Sequence, residues 1–190
     1  MKKAVFFDRD GVLNEDNGFV KNVKDIRFYP ETSDAVAFVH NNGFLTFIVS
    51  NQTVVARGLM TENQLVEFNK EYLLKLKEKN ENAIINHFYY CPHHPNASNT
   101  DYRVSCSCRK PKPGMILLAA KQYNVDLKKS YMVGDRISDI VAGYNAGCKT
   151  IQVYSGKHDE KMIETDFKID KVINPDFCIQ NLKELEKIIS

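Results

Sequence analysis

The sequence has no apolar run near the roughly 20 residues of a membrane-spanning helix. Its opening Met1-Lys2-Lys3 leads into a short run that breaks at Asp8-Arg9-Asp10, too brief for the core of a secretion signal. These two absences predict a cytoplasmic protein with no membrane partner. Charge of one sign is equally scarce. The formal net charge is +2, and no basic stripe interleaved with aromatics runs along the chain, so nucleic acid is not expected as a partner. Tryptophan is absent, and the nine tyrosines and eleven phenylalanines read mostly as strand and core residues. No repeat, low-complexity tract or linker divides the chain. The 190 residues, 43% hydrophobic and 26% charged, predict a single domain, residues 1–190, with a sizeable core. No extra exposed element suggests an interface, so a monomer is expected.

What is present alternates. Ala4 to Phe7, Phe44 to Val49, Ile84 to Tyr90, Tyr131 to Val133 and Thr150 to Tyr154 read as short apolar strands. Between them lie helical patterns: Thr32 to Asn42, a long helix opened by the capping box Thr61-Glu62-Asn63-Gln64, Gly114 to Tyr123, and Ile137 to Tyr144 stopped by Gly147. Leu65, Phe68, Tyr72 and Leu76 are placed on the inner face of the long helix, and Lys70 to Lys79 on its solvated face. Ile179, Leu182, Leu185 and Ile188 predict a closing helix. The alternation predicts an α/β fold, a Rossmann-like three-layer sandwich around a parallel sheet. Ligands bind such sheets outside the carboxyl ends of the strands.

Asp8 and Asp10 stand at the end of the first strand in FFDRDGVLN. Two carboxylates held close repel unless a cation joins them. Magnesium suits the position, because it takes carboxylate and phosphate oxygens. Ser50-Asn51-Gln52 follow the second strand, and Asp135 and Asp139 follow the fourth. Lys110 adds a fixed positive charge. Each taken singly is a strand-end cap, a solvated base or a helix cap. Gathered at successive strand ends, they outline a phosphate site.

The five cysteines are an odd number. Cys91-x-His93 and Cys106-x-Cys108 form a closed tetrahedral zinc set, of the kind that keeps no open position. Free thiols, a Cys106–Cys108 redox pair and disulfides are the other readings, and His94 rivals His93 as fourth ligand. A clip here would fix a long loop and aim Arg109 and Lys110 at the site. Cys148 and Cys178 read as buried packing.

FFDRDGVLN, IVSNQ, the lysine of CRKPKPG and VGDRISDI resemble, in order, the four motifs of the haloacid dehalogenase superfamily of phosphatases. The resemblance spans nearly the whole chain. It implies that Asp8 is the nucleophile, forming an aspartyl-phosphate. Asp10 would be the general acid and then the base, and Ser50 and Lys110 would steady the transferring phosphoryl group. Magnesium would be held by Asp8, Asp135 and Asp10, the last through its backbone carbonyl. The chain lacks the long insertions that carry cap domains in other members, so the site is expected to be capless. The zinc loop leading into CRKPKPGM, with RDGVLNEDNGFV and NQTVVARGLMTE, resembles the D-glycero-D-manno-heptose 1,7-bisphosphate 7-phosphatases. That likeness implies a phosphorylated sugar substrate, a role in making nucleotide-activated heptose for lipopolysaccharide core, and the cofactors Mg2+ and Zn2+. It implies substrate contacts from Asp16, Asn17, Gly18 and Phe19, from Asn51, Gln52 and Thr53, and from Arg109 and Arg136. Zinc would be held by Cys91, His93, Cys106 and Cys108. One departure is Thr53-Val54, where a Ser-Gly pair is expected; it bears on the anomer and the exact sugar. Histidinol-phosphate phosphatase shares the motifs and the clip, but the twelve residues between His93 and Cys106 are long for that group. A catalytically silent superfamily member would have lost a motif residue.

Overall fold

In the computed structural model, the structure describes residues 1–156 and 173–189. Six strands form one parallel sheet: β1 (Ala4–Phe7), β2 (Leu45–Asn51), β3 (His87–Cys91), β4 (Tyr131–Gly134), β5 (Lys149–Val153) and β6 (Phe177–Ile179). Their spatial order is β3-β2-β1-β4-β5-β6. The register aligns Phe7 with Ile48 on one side and with Val133 on the other. The order reverses between β1 and β4, which is where a doubly wound sheet opens its crevice. The predicted fold class is therefore the observed one.

Continuous apolar strands fit a sheet covered on both faces. Side chains alternate along each strand. Val5, Phe7, Ile48 and Val133 point to a layer made by α1 (Thr32–Asn41), α2 (Glu62–Lys79) and a 3-10 helix over Leu182–Lys187. Ala4, Phe6, Phe47, Val49 and Met132 point to the opposite layer, α3 (Gly114–Tyr123) and α4 (Ile137–Ala146). Phe6 and Phe47 stack with ring centroids 5.3 Å apart. Each such side chain, fully buried, contributes about 1.5–3 kcal/mol.

The helix ends follow their sequence signals. Thr61 and Gln64 form the reciprocal capping box at the start of α2. Gly147 closes α4 at a φ of +87°, a left-handed value that glycine adopts without steric cost. Two expectations are corrected. The closing segment is not one helix: Ile179 ends strand β6, and only Leu182–Lys187 winds, as a 3-10 helix. Cys178 is exposed on that edge strand rather than packed, because its neighbour Ile179 takes the inward register position. Among the described residues, no helix is long and apolar enough to cross a membrane.

Candidate active site

The crevice between β1 and β4 gathers the predicted carboxylates. The backbone N–H of Asp8 donates to the Val133 carbonyl at 2.9 Å, carrying the β1–β4 pairing one residue past the strand. Asp8, Asp135 and Asp139 are all buried, with ligand oxygens within 4.8 Å of one another. Lys110 Nζ reaches between two of them, 2.8 Å from Asp8 and 2.7 Å from Asp139. Asp139 also accepts the Arg136 backbone N–H at 3.0 Å, at the start of α4.

Three carboxylates and one ammonium leave two negative charges, the amount one divalent cation neutralises. The donor set is all oxygen, as magnesium requires. Glycine leaves room for the Asp135 carboxylate: a methyl group built on Gly11, whose φ is +85°, would overlap it, and so would one on Gly156. Burial pushes the Asp8 carboxyl up to about 6, against the opposing pull of Lys110. Burial alone would lower Lys110, but Asp139 and Asp8 outweigh it and raise its pKa, so the ammonium stays charged.

The Asp10 carboxylate lies outside this trio; the expectation for magnesium concerned its backbone carbonyl. Its oxygens accept from Arg9 Nε at 3.0 Å, Arg9 Nη2 at 2.7 Å, Asn14 Nδ2 at 3.0 Å and Gln52 Nε2 at 3.3 Å. Gln52 Nε2 also donates to Ser50 Oγ at 2.7 Å, joining the first two motifs. Asn51 pairs with the backbone of Lys110. Its Oδ1 accepts the Lys110 backbone N–H at 3.0 Å, and its Nδ2 donates to the Lys110 carbonyl at 3.1 Å. Its amide is thereby committed to the lysine's own backbone.

The other expected substrate residues line two loops. Arg136 Nη2 pairs with Asp16 at 2.9 Å, so the loop after β1 meets the start of α4. Asp16 also accepts the Gly18 N–H at 3.1 Å, and Asn17 donates to Glu15 at 3.2 Å. Phe19 is 49% exposed, and the Arg57 guanidinium sits 4.9 Å above its ring. Thr53 Oγ1 lies 3.5 Å from Arg57 Nε. Val54 is buried against Val55 and Leu65, which anchors this loop to α2. Arg57 joins the two loops; its only signal in the sequence was its place in NQTVVARGLMTE.

The cysteine segment closes as a clip. Cys91, His93, Cys106 and Cys108 offer ligand atoms within 4.8 Å of one another. His93 Nδ1 is 3.5 Å from both Cys91 Sγ and Cys108 Sγ, the edge expected of a tetrahedron with bonds of about 2.0 and 2.3 Å. His94 turns elsewhere: its Nδ1 accepts the Asn96 N–H at 3.1 Å. The hydrogen bond between Cys91 and Cys108 lowers the Cys108 thiol, to about 5, and raises that of Cys91, so the pair shares one proton and one thiolate. Arg109 Nη1 donates to the His93 carbonyl at 3.2 Å, and Lys110 follows at once. The hydroxyls of Tyr90 and Tyr102 both donate to Glu62, at 3.1 and 3.0 Å, tying this loop to the start of α2.

Comparison with known proteins gives consistent findings. Residues 107–185 match a HAD-hydrolase-like family. A D-glycero-beta-D-manno-heptose-1,7-bisphosphate 7-phosphatase of Haemophilus ducreyi is 38% identical over 174 residues, 91% of this chain and 93% of that one. The enzyme of that name from Haemophilus influenzae is 34% identical over 187 residues, 97% of this chain and 100% of its own. Among solved structures, D,D-heptose 1,7-bisphosphate phosphatase from B. bronchiseptica, complexed with magnesium and phosphate, superposes with a TM-score of 0.79. It is 26% identical, with 98% of this chain and 97% of that one covered.

Proposed function

The chain belongs to the D-glycero-beta-D-manno-heptose-1,7-bisphosphate 7-phosphatase family of HAD-like hydrolases, and we propose that it removes the C7 phosphate of the beta anomer of that bisphosphate. The observation that carries this reading is a 38% identity over nine-tenths of both chains, in a chain whose Asp8, Ser50, Lys110 and Asp135 stand at one end of one sheet. Its product would feed the assembly of nucleotide-activated heptose for lipopolysaccharide.

The chemistry follows from the side chains. An Asp8 oxygen attacks phosphorus, and an O–P bond to Asp8 forms as the bond to the C7 oxygen breaks. Asp10 gives that oxygen its proton, then takes one from the water that hydrolyses the aspartyl-phosphate. Lys110 offsets the repulsion between carboxylate and phosphate, and Ser50 donates to a phosphoryl oxygen. Asp8, Asp135 and the Asp10 carbonyl would hold Mg2+, with Asp139 beside them. Bound there, the ion neutralises charge that develops on the phosphoryl oxygens. Cys91, His93, Cys106 and Cys108 would hold Zn2+ away from the chemistry, as a brace for Arg109 and Lys110.

Phosphate release with magnesium tests the assignment, on a panel of both anomers of heptose 1,7-bisphosphate, histidinol phosphate and simple sugar phosphates. The beta bisphosphate should exceed the rest in kcat/KM, and Asp8→Asn should abolish release. Preference for histidinol phosphate would overturn the substrate and keep the chemistry.

A further inference from the structure

Arg9 and Asn14 hold the Asp10 carboxylate, and Tyr72 holds Asn14. Arg9 is 3% exposed and spends both arms of its fork on the Asp10 carboxylate. Its guanidinium lies 5.4 Å from the Phe68 ring centre and 5.8 Å from that of Tyr72, both on α2. Asn14 is fully buried. Its Nδ2 donates to Asp10 at 3.0 Å and to the Glu15 carbonyl at 2.8 Å, while its Oδ1 accepts the Tyr72 hydroxyl at 2.9 Å.

We propose that Tyr72 and Arg9 are positioning residues for Asp10: the Tyr72 hydroxyl fixes the Asn14 amide, and Asn14 and the Arg9 fork together aim the Asp10 carboxylate at the leaving oxygen. The proposal rests on the acid/base reading of Asp10 given above. The amide of Asn14 has two nearly isosteric orientations. Turned over, it would set Oδ1 against the Asp10 carboxylate and the Glu15 carbonyl. The Tyr72 hydroxyl adds a donor that favours the working orientation. Tyr72 keeps its proton, because burial pushes its pKa well above the ordinary value despite the nearby Arg9. Arg9 contributes direction as well as charge. A bidentate fork fixes the plane of the carboxylate, whereas a lysine ammonium in its place would act as a point charge. Side-chain exposure of Asp10 is 24% against 4% for Arg9, so Asp10 stays partly accessible while the guanidinium that holds it is buried.

The test uses leaving-group dependence in the full chain loaded with magnesium and zinc. Cleavage of an alkyl phosphate needs a proton on the departing oxygen, whereas p-nitrophenol leaves without one. Tyr72→Phe removes only the hydroxyl and keeps the ring. It should lower single-turnover cleavage of heptose 1,7-bisphosphate about five- to tenfold with KM held, and leave the p-nitrophenyl phosphate burst unchanged. Arg9→Lys should show the same split at about a hundredfold. Equal loss on both substrates, or loss on neither, would overturn the proposal. Asp10→Asn runs alongside. If it too lacks the split, the acid/base reading has failed and the positioning role falls with it. A split in Asp10→Asn but in neither variant overturns the positioning role alone.

Discussion

Replacing Asn51 by alanine separates two accounts of that residue. The reciprocal pair to Lys110, at 3.0 and 3.1 Å, would be lost whole. Each bond contributes about 1 kcal/mol, and a backbone group left without a partner can cost about 1–3 kcal/mol, so a total near 2–4 kcal/mol is expected. For a chain of this size each kcal/mol moves Tm by about 2–4 °C, which gives a fall of roughly 5–15 °C. The effect on chemistry follows from the lysine's position, with Nζ 2.8 Å from Asp8 and 2.7 Å from Asp139. A shift of about 1 Å at such a group costs about a hundredfold in rate. Asn51→Ala should therefore lower kcat by one to two orders of magnitude, with KM for the bisphosphate within about threefold of wild type. Steady-state kinetics and a thermal melt in the same buffer measure both. A rise in KM with kcat and Tm intact would make Asn51 a substrate contact and the clamp idle. A fall in Tm with unchanged kcat would mean that the two ion pairs alone hold Lys110 in place.

Zinc and pH offer further tests. Stripping zinc with a chelator should lower Tm by about 5–10 °C and reduce turnover, with recovery on zinc but not on magnesium; unchanged turnover would leave the clip a stabilising brace with no part in aiming Lys110. Burial pushes the Cys148 thiol up to about 12 from the ordinary 9.0. A raised folded-state pKa gives stability that is whole below about pH 9 and is lost as pH climbs toward 12. Urea melts of Cys148→Ala should therefore show a shallower alkaline decline, by up to about 1.4 kcal/mol per pH unit in that window, and parallel curves would disprove it.

Much of this was legible in the residues. Apolar tetrads and pentads marked the strands, because a parallel sheet is buried on both faces and needs no alternation. The capping box at Thr61 marked the start of α2 because side-chain and backbone donors there are satisfied locally. Other features were hidden for physical reasons. Strand β6 is three residues long and exposes two of them, so its pattern is too short to distinguish from a helical turn. Asn14 and Tyr72 lie 58 positions apart and meet only once α2 packs against the sheet; Tyr72 reads as an ordinary inward aromatic, with nothing local to reveal its hydroxyl's partner. Arg9 looks like a surface charge between two acids until Phe68 and Tyr72 close over it. Asn51 stands in IVSNQ, where it reads as a substrate contact, and only the fold shows its amide bonded to the backbone of Lys110. The choice between His93 and His94 depended on the turn of the chain after Cys91, which spacing does not encode.

The clip has a consequence for how this chain can change over evolutionary time. With zinc bound, its two ends would be pinned, by Cys91 and His93 before the loop and by Cys106 and Cys108 after it, and a change between them would reach Lys110 only through the clip. Arg103, Val104 and Ser105 are all exposed just ahead of the second pair. Doubling a closed loop costs only about 0.6 kcal/mol. Extra residues could be accepted at that seam, or new side chains tried against other sugars, while the lysine two positions past Cys108 stays in register with Asp8. Catalysis and recognition would thus be separately mutable within one sheet.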